Sequence, residues 1–335
     1  MPLPPLIEVV PFSAEQLEAF KKDKAEIVIP GSKSITNRAI VLAALGSGVV
    51  TLKGALWSED TEAMADCMHK LGIKVDVAAD PDVEANRVIT VHGCDGKIPG
   101  GGTEEAPLEL FVQNAGTAAR FLTAMVCLGS GVVRLSGVPR MHERPQKELV
   151  RALRALGYRV DTPNDMLPAV VHGGGRKPGP VTVSVDDSSQ FASALLLSSR
   201  VGGWQVSTPE GSNPDELPYV EMTRQMVAVF PHTGGIFQIE PDASSASYFQ
   251  CAPRPLEPWL ARCCGRPSHA QGAVPPCLAR CRAGTPCRAI AFALISVGLV
   301  APCPQRRQRA LPRDLARQRD GVPGAAQRGR FWLAD

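Results

Sequence analysis

Three short segments of the sequence carry residues that could bind an anionic ligand. They read GSKSITNR at residues 31–38, NAGTAARFL at 114–122 and SSQFASALLL at 188–197. Each combines small residues with hydroxyl or amide groups where a helix is predicted to begin, and both the free backbone N–H groups and the helix dipole there favour negative charge. Five cations could supply the countercharge: Lys33, Arg38, Arg120, Arg140 and Arg144.

Two other interpretations of these segments must be considered, a nucleotide-binding loop and ordinary helix capping. A nucleotide-binding P-loop is excluded, because that motif needs glycine where this chain has Ser32 and Ile27. Taken singly, each segment could be an ordinary helix start capped by a hydroxyl group, with the arginines on the surface. The choice depends on whether the fold brings the three segments together.

The elements around these segments form an internal repeat. Similar stretches begin at residue 49 (VVTLKG) and residue 132 (VVRLSG), and each predicts a strand, a loop, an amphipathic helix, a glycine and a second strand. A looser third copy begins at residue 204. Each copy follows another strand and helix, the first of these strands being the run EIVI at residues 26–29. We expect three equivalent helix starts in one pseudo-symmetric α/β domain to converge on one anionic ligand.

Charge and composition narrow the class of protein. A length of 335 residues and an apolar content of 44% suit a globular protein with two domains. The net charge of +3 is uneven, because residues 251–335 contain fourteen Arg and four acidic residues, which leaves −7 for the first 250. The mildly acidic body argues against nucleic acid, whose binding requires a basic face.

A cytoplasmic location is expected. The first twelve residues lack a basic segment followed by an apolar stretch, and the apolar run AIAFALISVGLV is too short to span a membrane. Cys67, Cys94 and Cys127 are scattered, as in proteins of a reducing compartment. The six histidines show no spacing typical of metal ligands, so a metal site is not expected.

Residues 250–335 differ in composition from the rest. From residue 251 onward there is no Lys or Tyr, while Arg, Pro, Cys and Ala are abundant. A zinc module is disfavoured because the cysteines form no C-x2-C pair, and a solvated basic tail would normally contain Lys. We favour a shifted reading frame that begins near Phe249 or Gln250, which would leave a disordered or poorly folded tail.

Six segments together resemble the family of 5-enolpyruvylshikimate-3-phosphate synthases. They lie in the family's order within residues 26–249 and read PGSKSITNRAIVLAALGSG, NAGTAARFLTA, RMHERPQKELVRALRALG, SSQFASALLL, PYVEMT and DASSASYF. The resemblance implies an α/β fold of the enolpyruvyl transferase type, an inside-out barrel of three βαβαββ units with helices inside a ring of sheets. It assigns residues 25–240 to one complete domain, and residues 1–24 and 241–249 to the edges of a second domain whose body is largely missing.

The same resemblance implies a reaction. The enolpyruvyl group of phosphoenolpyruvate would be transferred to the 5-hydroxyl group of shikimate 3-phosphate, with release of phosphate, in the shikimate pathway to chorismate and the aromatic amino acids. No cofactor is implied, and a monomer is expected. Two multiply charged anions held side by side would explain the density of cations and N–H donors in the three segments.

Site residues follow from the resemblance by position. Lys33 would be the catalytic residue, shared by both substrates. Shikimate 3-phosphate would bind to Lys33, Ser34, Arg38, Ser188, Ser189, Gln190 and Tyr219. Phosphoenolpyruvate would bind to Lys33, Asn114, Gly116, Arg140 and Gln190. The loop RMHERP would be held in place by Glu143 and Arg144.

Two departures from the family pattern bear on function. Glu216 replaces the serine that usually stands three residues before the tyrosine of the PY pair, and its carboxylate would repel a phosphate if it pointed inward, unless the NPDEL loop takes a different course. After Asp242, the sequence has no counterpart of the family's catalytic aspartate or of its K-E-[TS]-D-R and D-H-R-[ML]-A-M segments. The chain as written is therefore expected to be inactive.

Three hypotheses about function follow. The first is a transferase that is active only with an intact C-terminal half, and the second is a non-catalytic protein that retains an anion or shikimate-phosphate site. The missing segments would reappear in another frame of the gene under the first hypothesis and not under the second. The third, a basic tail that binds nucleic acid, is disfavoured because the tail has little aromatic interleaving beyond Trp259 and Trp332.

Overall fold

The structure, a computed structural model, describes residues 28–250 of the chain. It also describes three residues near the N terminus, Ser13, Glu15 and Gln16, and it gives only the backbone for residues 248–250. The tail of residues 251–335, with its proposed frame shift, lies outside the described residues, as does nearly all of the segment 1–24.

The chain divides into two compact units. One is formed by Pro30–Asp242, and the other by Met1–Ile29 together with Ala243–Asp335. In the second unit, a helix spans Ala243–Gln250. The first unit contains all three repeats and all of the predicted site residues.

The three repeats of the first unit fold into alternating strands and helices. The first repeat comprises α1 (Lys33–Leu45), β1 (Val49–Leu56), α2 (Glu59–Lys70), β2 (Val75–Ala79) and β3 (Asn86–His92). The second comprises β4 (Leu108–Phe111), α3 (Gly116–Val126), β5 (Val132–Ser136), α4 (Pro139–His142), α5 (Lys147–Ala155), β6 (Arg159–Asp161) and β7 (Ala169–His172). The third comprises β8 (Gly179–Thr182), α6 (Gln190–Gly202), β9 (Trp204–Ser207), α7 (Leu217–Val229) and β10 (Gly235–Gln238). Within the described residues, no helix has the length and apolarity needed to cross a membrane.

Two four-stranded sheets share one topology. The first has the strand order β10-β1-β3-β2 and the second has the order β4-β5-β7-β6. In each sheet the first two strands are parallel and the other neighbours are antiparallel. The third sheet has two parallel strands, β8 and β9, in the part of the chain that the structure describes. The second repeat is therefore a complete βαβαββ unit, whereas the third contributes two strands to its own sheet and its last strand, β10, to the first sheet.

The predicted strand before α1 is not formed in its described part. Val28 and Ile29 lie outside any strand. The edge of β1 is instead taken by β10, which runs parallel to it with Gly235 opposite Val50. Because β3 covers the other edge, β1 has no edge left for the run at residues 26–29. The first sheet thus takes its outer strand from the far end of the unit.

The chain enters and leaves this unit at the same place. The Ser32 N–H donates to the Glu240 carbonyl at 2.8 Å, and the Asp242 N–H donates to the Pro30 carbonyl at 2.9 Å. These two hydrogen bonds hold the first and last residues of the unit side by side. The start of α1 is therefore anchored to the end of the same unit.

Three helices form the centre of the unit. The helices α1, α3 and α6 pack against one another, and all eleven residues of α3 are buried. A helix whose residues are all buried must be covered by other elements on every side. Each of the three lies against the sheet of its own repeat, while α2 and α5 bridge neighbouring sheets. Helices therefore lie inside and sheets outside, which confirms the predicted inside-out α/β barrel.

Candidate functional site

The N-terminal turns of α1, α3 and α6 meet at one end of the buried helices. Three side-chain contacts join them: the Asn37 amide to the Thr117 hydroxyl at 2.8 Å, Arg38 to the Ser193 hydroxyl at 3.1 Å, and Arg120 to the Phe191 ring at 6.0 Å. Each contact links a different pair of helices. The three helix starts therefore converge, and their free N–H groups and dipoles act on one place.

We call the place where the N-terminal turns of α1, α3 and α6 meet the junction. Arg38 lies at its centre and is only 1% exposed. Its guanidinium donates to the Thr223 hydroxyl at 2.8 Å, the Ser193 hydroxyl at 3.1 Å and the Ser34 carbonyl at 3.1 Å. Burial lowers the pKa of Arg38 to about 10, so it remains charged at neutral pH. A guanidinium has five N–H donors, so these bonds leave one N–H on each terminal nitrogen.

The partners of Arg38 within the described residues are all uncharged. A buried charge without an opposite charge is costly, because neither water nor a counterion compensates its desolvation. The Phe121 ring, whose centre lies 5.2 Å from the guanidinium, offsets only a part of this cost. An anionic ligand that accepts the two remaining N–H groups would supply the missing opposite charge.

Two further arginines flank Gly116 at the start of α3. Arg120 is 2% exposed and donates to the Gly116 carbonyl at 3.2 Å and the Pro145 carbonyl at 2.7 Å. Arg144 donates to the Asn114 carbonyl at 3.1 Å. Burial first, and the charge of Arg144 second, lower the pKa of Arg120 to about 10. Two neighbouring cations at a helix N terminus form a place suited to an anion.

Lys33, the first residue of α1, is held by an exposed ion pair. Its Nζ lies 3.0 Å from the Asp60 carboxylate, and 46% of its side chain is exposed. Surface pairs of this kind contribute up to about 1 kcal/mol, so Lys33 can exchange Asp60 for an anionic ligand at little cost. The next residue, Ser34, is half-buried and presents its carbonyl to Arg38.

Tyr219 of α7 is linked to the same junction through Thr223. Tyr219 is half-buried, and its carbonyl accepts the Thr223 hydroxyl at 2.8 Å. Thr223 also contacts Arg38 and lies 3.0 Å from the Ser193 hydroxyl. The fourth helix, α7, therefore takes part in positioning the buried guanidinium.

An acidic side chain accepts one of the backbone N–H groups at the start of α6. The Glu216 carboxylate accepts the N–H of Ser189 at 2.7 Å, and the Ser188 hydroxyl accepts the N–H of Gln190 at 3.2 Å. The side-chain oxygen of Gln190 is buried and has no partner among the described residues. Glu216 therefore points inward, which is the orientation in which it would oppose a phosphate.

Two of the residues predicted to contact phosphoenolpyruvate are exposed and make no described contact with the junction. Arg140 forms an ion pair with Glu143 at 2.6 Å, and 75% of its side chain is exposed. Asn114 is also exposed and offers its carbonyl to Arg144. The cations beside Gly116 are instead Arg120 and Arg144, so roles for Arg140 and Asn114 remain predictions.

Sequence reasoning missed three residues that hold the buried guanidinium: Ser193, Thr223 and Phe121. Helical spacing could have revealed the two hydroxyls, because Ser193 lies four residues after Ser189 and Thr223 lies four residues after Tyr219. Phe121 carried no such signal, since an aromatic residue in an apolar helix reads as ordinary core.

Comparison with known proteins assigns the chain to a family. A sequence model described as "EPSP synthase (3-phosphoshikimate 1-carboxyvinyltransferase)" matches residues 17–233. The chain belongs to the EPSP synthase family. The matched region includes all three helix starts, Glu216 and Tyr219.

Curated members of the EPSP synthase family show the extent of the similarity. The 3-phosphoshikimate 1-carboxyvinyltransferase of Opitutus terrae is 37% identical over 276 residues, which cover 76% of this chain and 60% of the relative. That of Bordetella bronchiseptica is 39% identical over 259 residues, which cover 70% of this chain and 56% of the relative. The chain thus spans little more than half the length of these relatives.

A solved EPSP synthase shares the fold. The enzyme from Acinetobacter baumannii superimposes with a TM-score of 0.53 at 22% identity, over 67% of this chain and 52% of that chain. At this identity the likeness concerns the arrangement of helices and sheets.

Within the described residues, no group of three His, Cys, Asp or Glu side chains could hold a metal ion.

Proposed function

We propose that this chain carries the binding site for shikimate 3-phosphate and phosphoenolpyruvate of a 3-phosphoshikimate 1-carboxyvinyltransferase, an activity that requires an intact C-terminal half. The observation that carries the proposal is Arg38, a buried cation at the meeting point of three helix N termini whose described partners are all uncharged. Membership of the EPSP synthase family supports the identity of the anions. The proposal includes a monomer in the cytoplasm, with residues 25–240 as its one complete domain.

The proposed reaction joins two anions. The oxygen of the 5-hydroxyl group of shikimate 3-phosphate attacks C2 of phosphoenolpyruvate and loses its proton, while C3 gains a proton. The tetrahedral intermediate then loses C3's extra proton, reforms the double bond and breaks its bond to the phosphate oxygen. Negative charge moves within the site during both steps, so fixed cations and N–H donors lower the barrier by being in place beforehand.

In this proposal the two substrates occupy two neighbouring regions. Shikimate 3-phosphate would lie against the start of α6, with its phosphate near Arg38, Ser188 and Ser189. Phosphoenolpyruvate would lie near Gly116, where Arg120 and Arg144 supply charge beside the predicted Arg140. Lys33, at the start of α1, would leave Asp60 and place its ammonium between the two substrates.

Replacing Ser188 with alanine is expected to weaken shikimate 3-phosphate binding by about tenfold, the loss of one hydrogen bond to a charged group. Binding to the full chain would be measured by titration calorimetry. The matched control is Ser130→Ala, an exposed serine beyond the C-terminal end of α3. Equal affinities in the unchanged chain and Ser188→Ala, or the absence of binding in all three proteins, would contradict the proposal.

Replacing Gly116 with alanine is expected to weaken phosphoenolpyruvate binding by about tenfold, or ~1.4 kcal/mol. The new Cβ would lie 2.5 Å from a terminal nitrogen of Arg144 and 2.6 Å from one of Arg120, so both guanidinium groups must move. The contacts are with side-chain atoms and not with the backbone, so the fold should persist. In the control Gly129→Ala, the Cβ meets its nearest atom at 3.4 Å. Fluorescence titration with phosphoenolpyruvate in the presence of shikimate 3-phosphate would compare the two, and equal weakening would refute the assignment.

The chain of 335 residues is expected to bind shikimate 3-phosphate without measurable turnover. Its sequence after Asp242 has no counterpart of the family's acid, base and cation segments, and a general acid or base alone contributes about 10²- to 10⁴-fold. This is the second candidate function, a non-catalytic phosphate site. A phosphate-release assay with both substrates would decide between the two, since steady release above a no-protein control favours the transferase.

A further inference from the structure

The contact between Glu216 and the start of α6 is unusual for a phosphate-binding place. Glu216 directly precedes α7, and its carboxylate reaches 27 positions back along the chain to accept the Ser189 N–H at 2.7 Å. Ser189 is only 5% exposed, so this hydrogen bond is sheltered from water. A short bond between a carboxylate and a sheltered N–H is of the stronger, charge-assisted kind.

The other donors at the start of α6 are satisfied locally. The Gln190 N–H donates to the Ser188 hydroxyl at 3.2 Å, and the Phe191 N–H donates to the Ser188 carbonyl at 3.4 Å. Glu216 therefore contributes the negative charge that the helix dipole favours at this end. The same helix turn carries Ser193, which contacts Arg38, so the carboxylate lies at the edge of the proposed phosphate-binding place.

The buried Arg38 indicates that an anion fits here independently of the helix end itself. Arg38 is 1% exposed, has only uncharged described partners, and keeps one N–H on each terminal nitrogen. The junction has donors to spare, and Glu216 takes one of them.

We infer that Glu216 is an internal competitor of phosphorylated ligands: its carboxylate occupies an anion position at the start of α6 and must move out before a phosphate can bind. The inference rests on the proposed function for the identity of the ligand. Glu216 is half-buried and its neighbour Leu217 is 38% exposed, so the side chain has a route to solvent. Glu216 lowers the affinity for a phosphorylated ligand in two ways, because it occupies the Ser189 N–H and because its charge repels the phosphate.

The competing interpretation is that Glu216 only caps α6. A cap stabilises the folded chain and has no effect on phosphate affinity, whereas a competitor lowers affinity. Glu216→Gln separates them, because the amide oxygen still accepts the Ser189 N–H while the charge is removed. Glu221→Gln is the matched control, since Glu221 lies on the same helix, is exposed and pairs with Arg224 at 3.6 Å.

The test measures binding of inorganic phosphate and of shikimate 3-phosphate to the full chain by titration calorimetry. For Glu216→Gln we expect affinity for both ligands to rise by about 10- to 100-fold, because the repulsion between two anions is removed and the remaining neutral hydrogen bond to Ser189 is only about half as strong as a charge-assisted one. Glu221→Gln should bind like the unchanged chain. The gain should disappear in the double variant that also carries Arg38→Met.

The outcomes separate this inference from the proposed function. If phosphate affinity rises in Glu216→Gln but shikimate 3-phosphate binds no better than phosphate, the inference stands and the proposed ligand is wrong. If shikimate 3-phosphate binds equally to Glu216→Gln and the unchanged chain, the proposed function stands and the inference is overturned. A gain that survives Arg38→Met also overturns it, because the phosphate then binds elsewhere.

Discussion

Replacing Arg38 with methionine is expected to weaken shikimate 3-phosphate binding by about 100-fold or more, because two hydrogen bonds to a charged group contribute ~3 kcal/mol or more. Methionine keeps most of the side-chain volume and removes the charge. The melting temperature should stay equal to or above that of the unchanged chain. This combination, a loss of affinity without a loss of stability, identifies a cation kept for a ligand.

The stability expectation follows from the surroundings of the guanidinium. Replacing a whole buried ion pair with well-packed apolar groups is often neutral or stabilising, by about 1–4 kcal/mol, and Arg38 has no charged partner among the described residues that its removal would leave behind. The hydroxyls that Arg38 leaves behind keep other partners, because Ser193 and Thr223 lie 3.0 Å apart and Thr223 also donates to the Tyr219 carbonyl at 2.8 Å. Both hydroxyls therefore keep partners, and the third acceptor that loses a bond to Arg38, the Ser34 carbonyl, belongs to a residue that is only half-buried.

Arg224→Met provides the matched control for this substitution. Arg224 lies on α7 and is 54% exposed, so its removal changes net charge equally without touching the junction. Calorimetry would measure affinity, and thermal melting followed by circular dichroism would measure stability. A variant Arg38→Met that melts at a much lower temperature yet binds with unchanged affinity would show that Arg38 is structural.

Replacing Phe121 with alanine is expected to lower the free energy of unfolding by about 3–5 kcal/mol, which is the usual loss for a large aromatic side chain in a close-packed core. The Phe121 side chain is 0% exposed and lies on α3, the helix whose residues are all buried. Domains have only about 5–15 kcal/mol of stability in total, so the variant should be close to unfolding at ordinary temperature. Since Phe121 also lies against Arg38, phosphate affinity should fall with it.

The control for Phe121 is another phenylalanine of the same repeat. Phe111, at the end of β4, is 48% exposed, so Phe111→Ala should lose roughly 1 kcal/mol or less. Urea unfolding of the three proteins would give the free energies. Similar losses for both variants would show that the helix bundle is not the main source of stability.

The helix-centred parts of the fold and site were predictable because their signals are local. A repeated strand, helix and glycine pattern predicts α2 and α5, and three similar helix starts predict the convergence around Arg38. Periodicity encodes which side of a helix is buried. It also places Ser193 and Thr223 on the same helix faces as Ser189 and Tyr219, four residues earlier in each case.

The remaining features depend on contacts that the local sequence does not encode. The sequence at residues 26–29 favours a strand as strongly as the sequence of β10 does. The segment that pairs with β1 is nevertheless β10, which lies far from β1 along the chain. The inward direction of Glu216 depends on how α7 packs against α6. The approach of Arg144 to Gly116, and the outward position of Arg140, likewise depend on the course of a loop.

The pairing of β10 with β1 has a consequence for how the protein folds. Gln238 contacts the carbonyl of Lys53, 185 positions earlier in the chain. During synthesis, β1 to β3 are complete long before β10 exists, so one edge of the first sheet stays unpaired and open to other strands. Contacts between such distant residues also form slowly, because a long loop must close first. The first sheet to begin is therefore the last to be finished, and its completion should set the refolding rate of the unit.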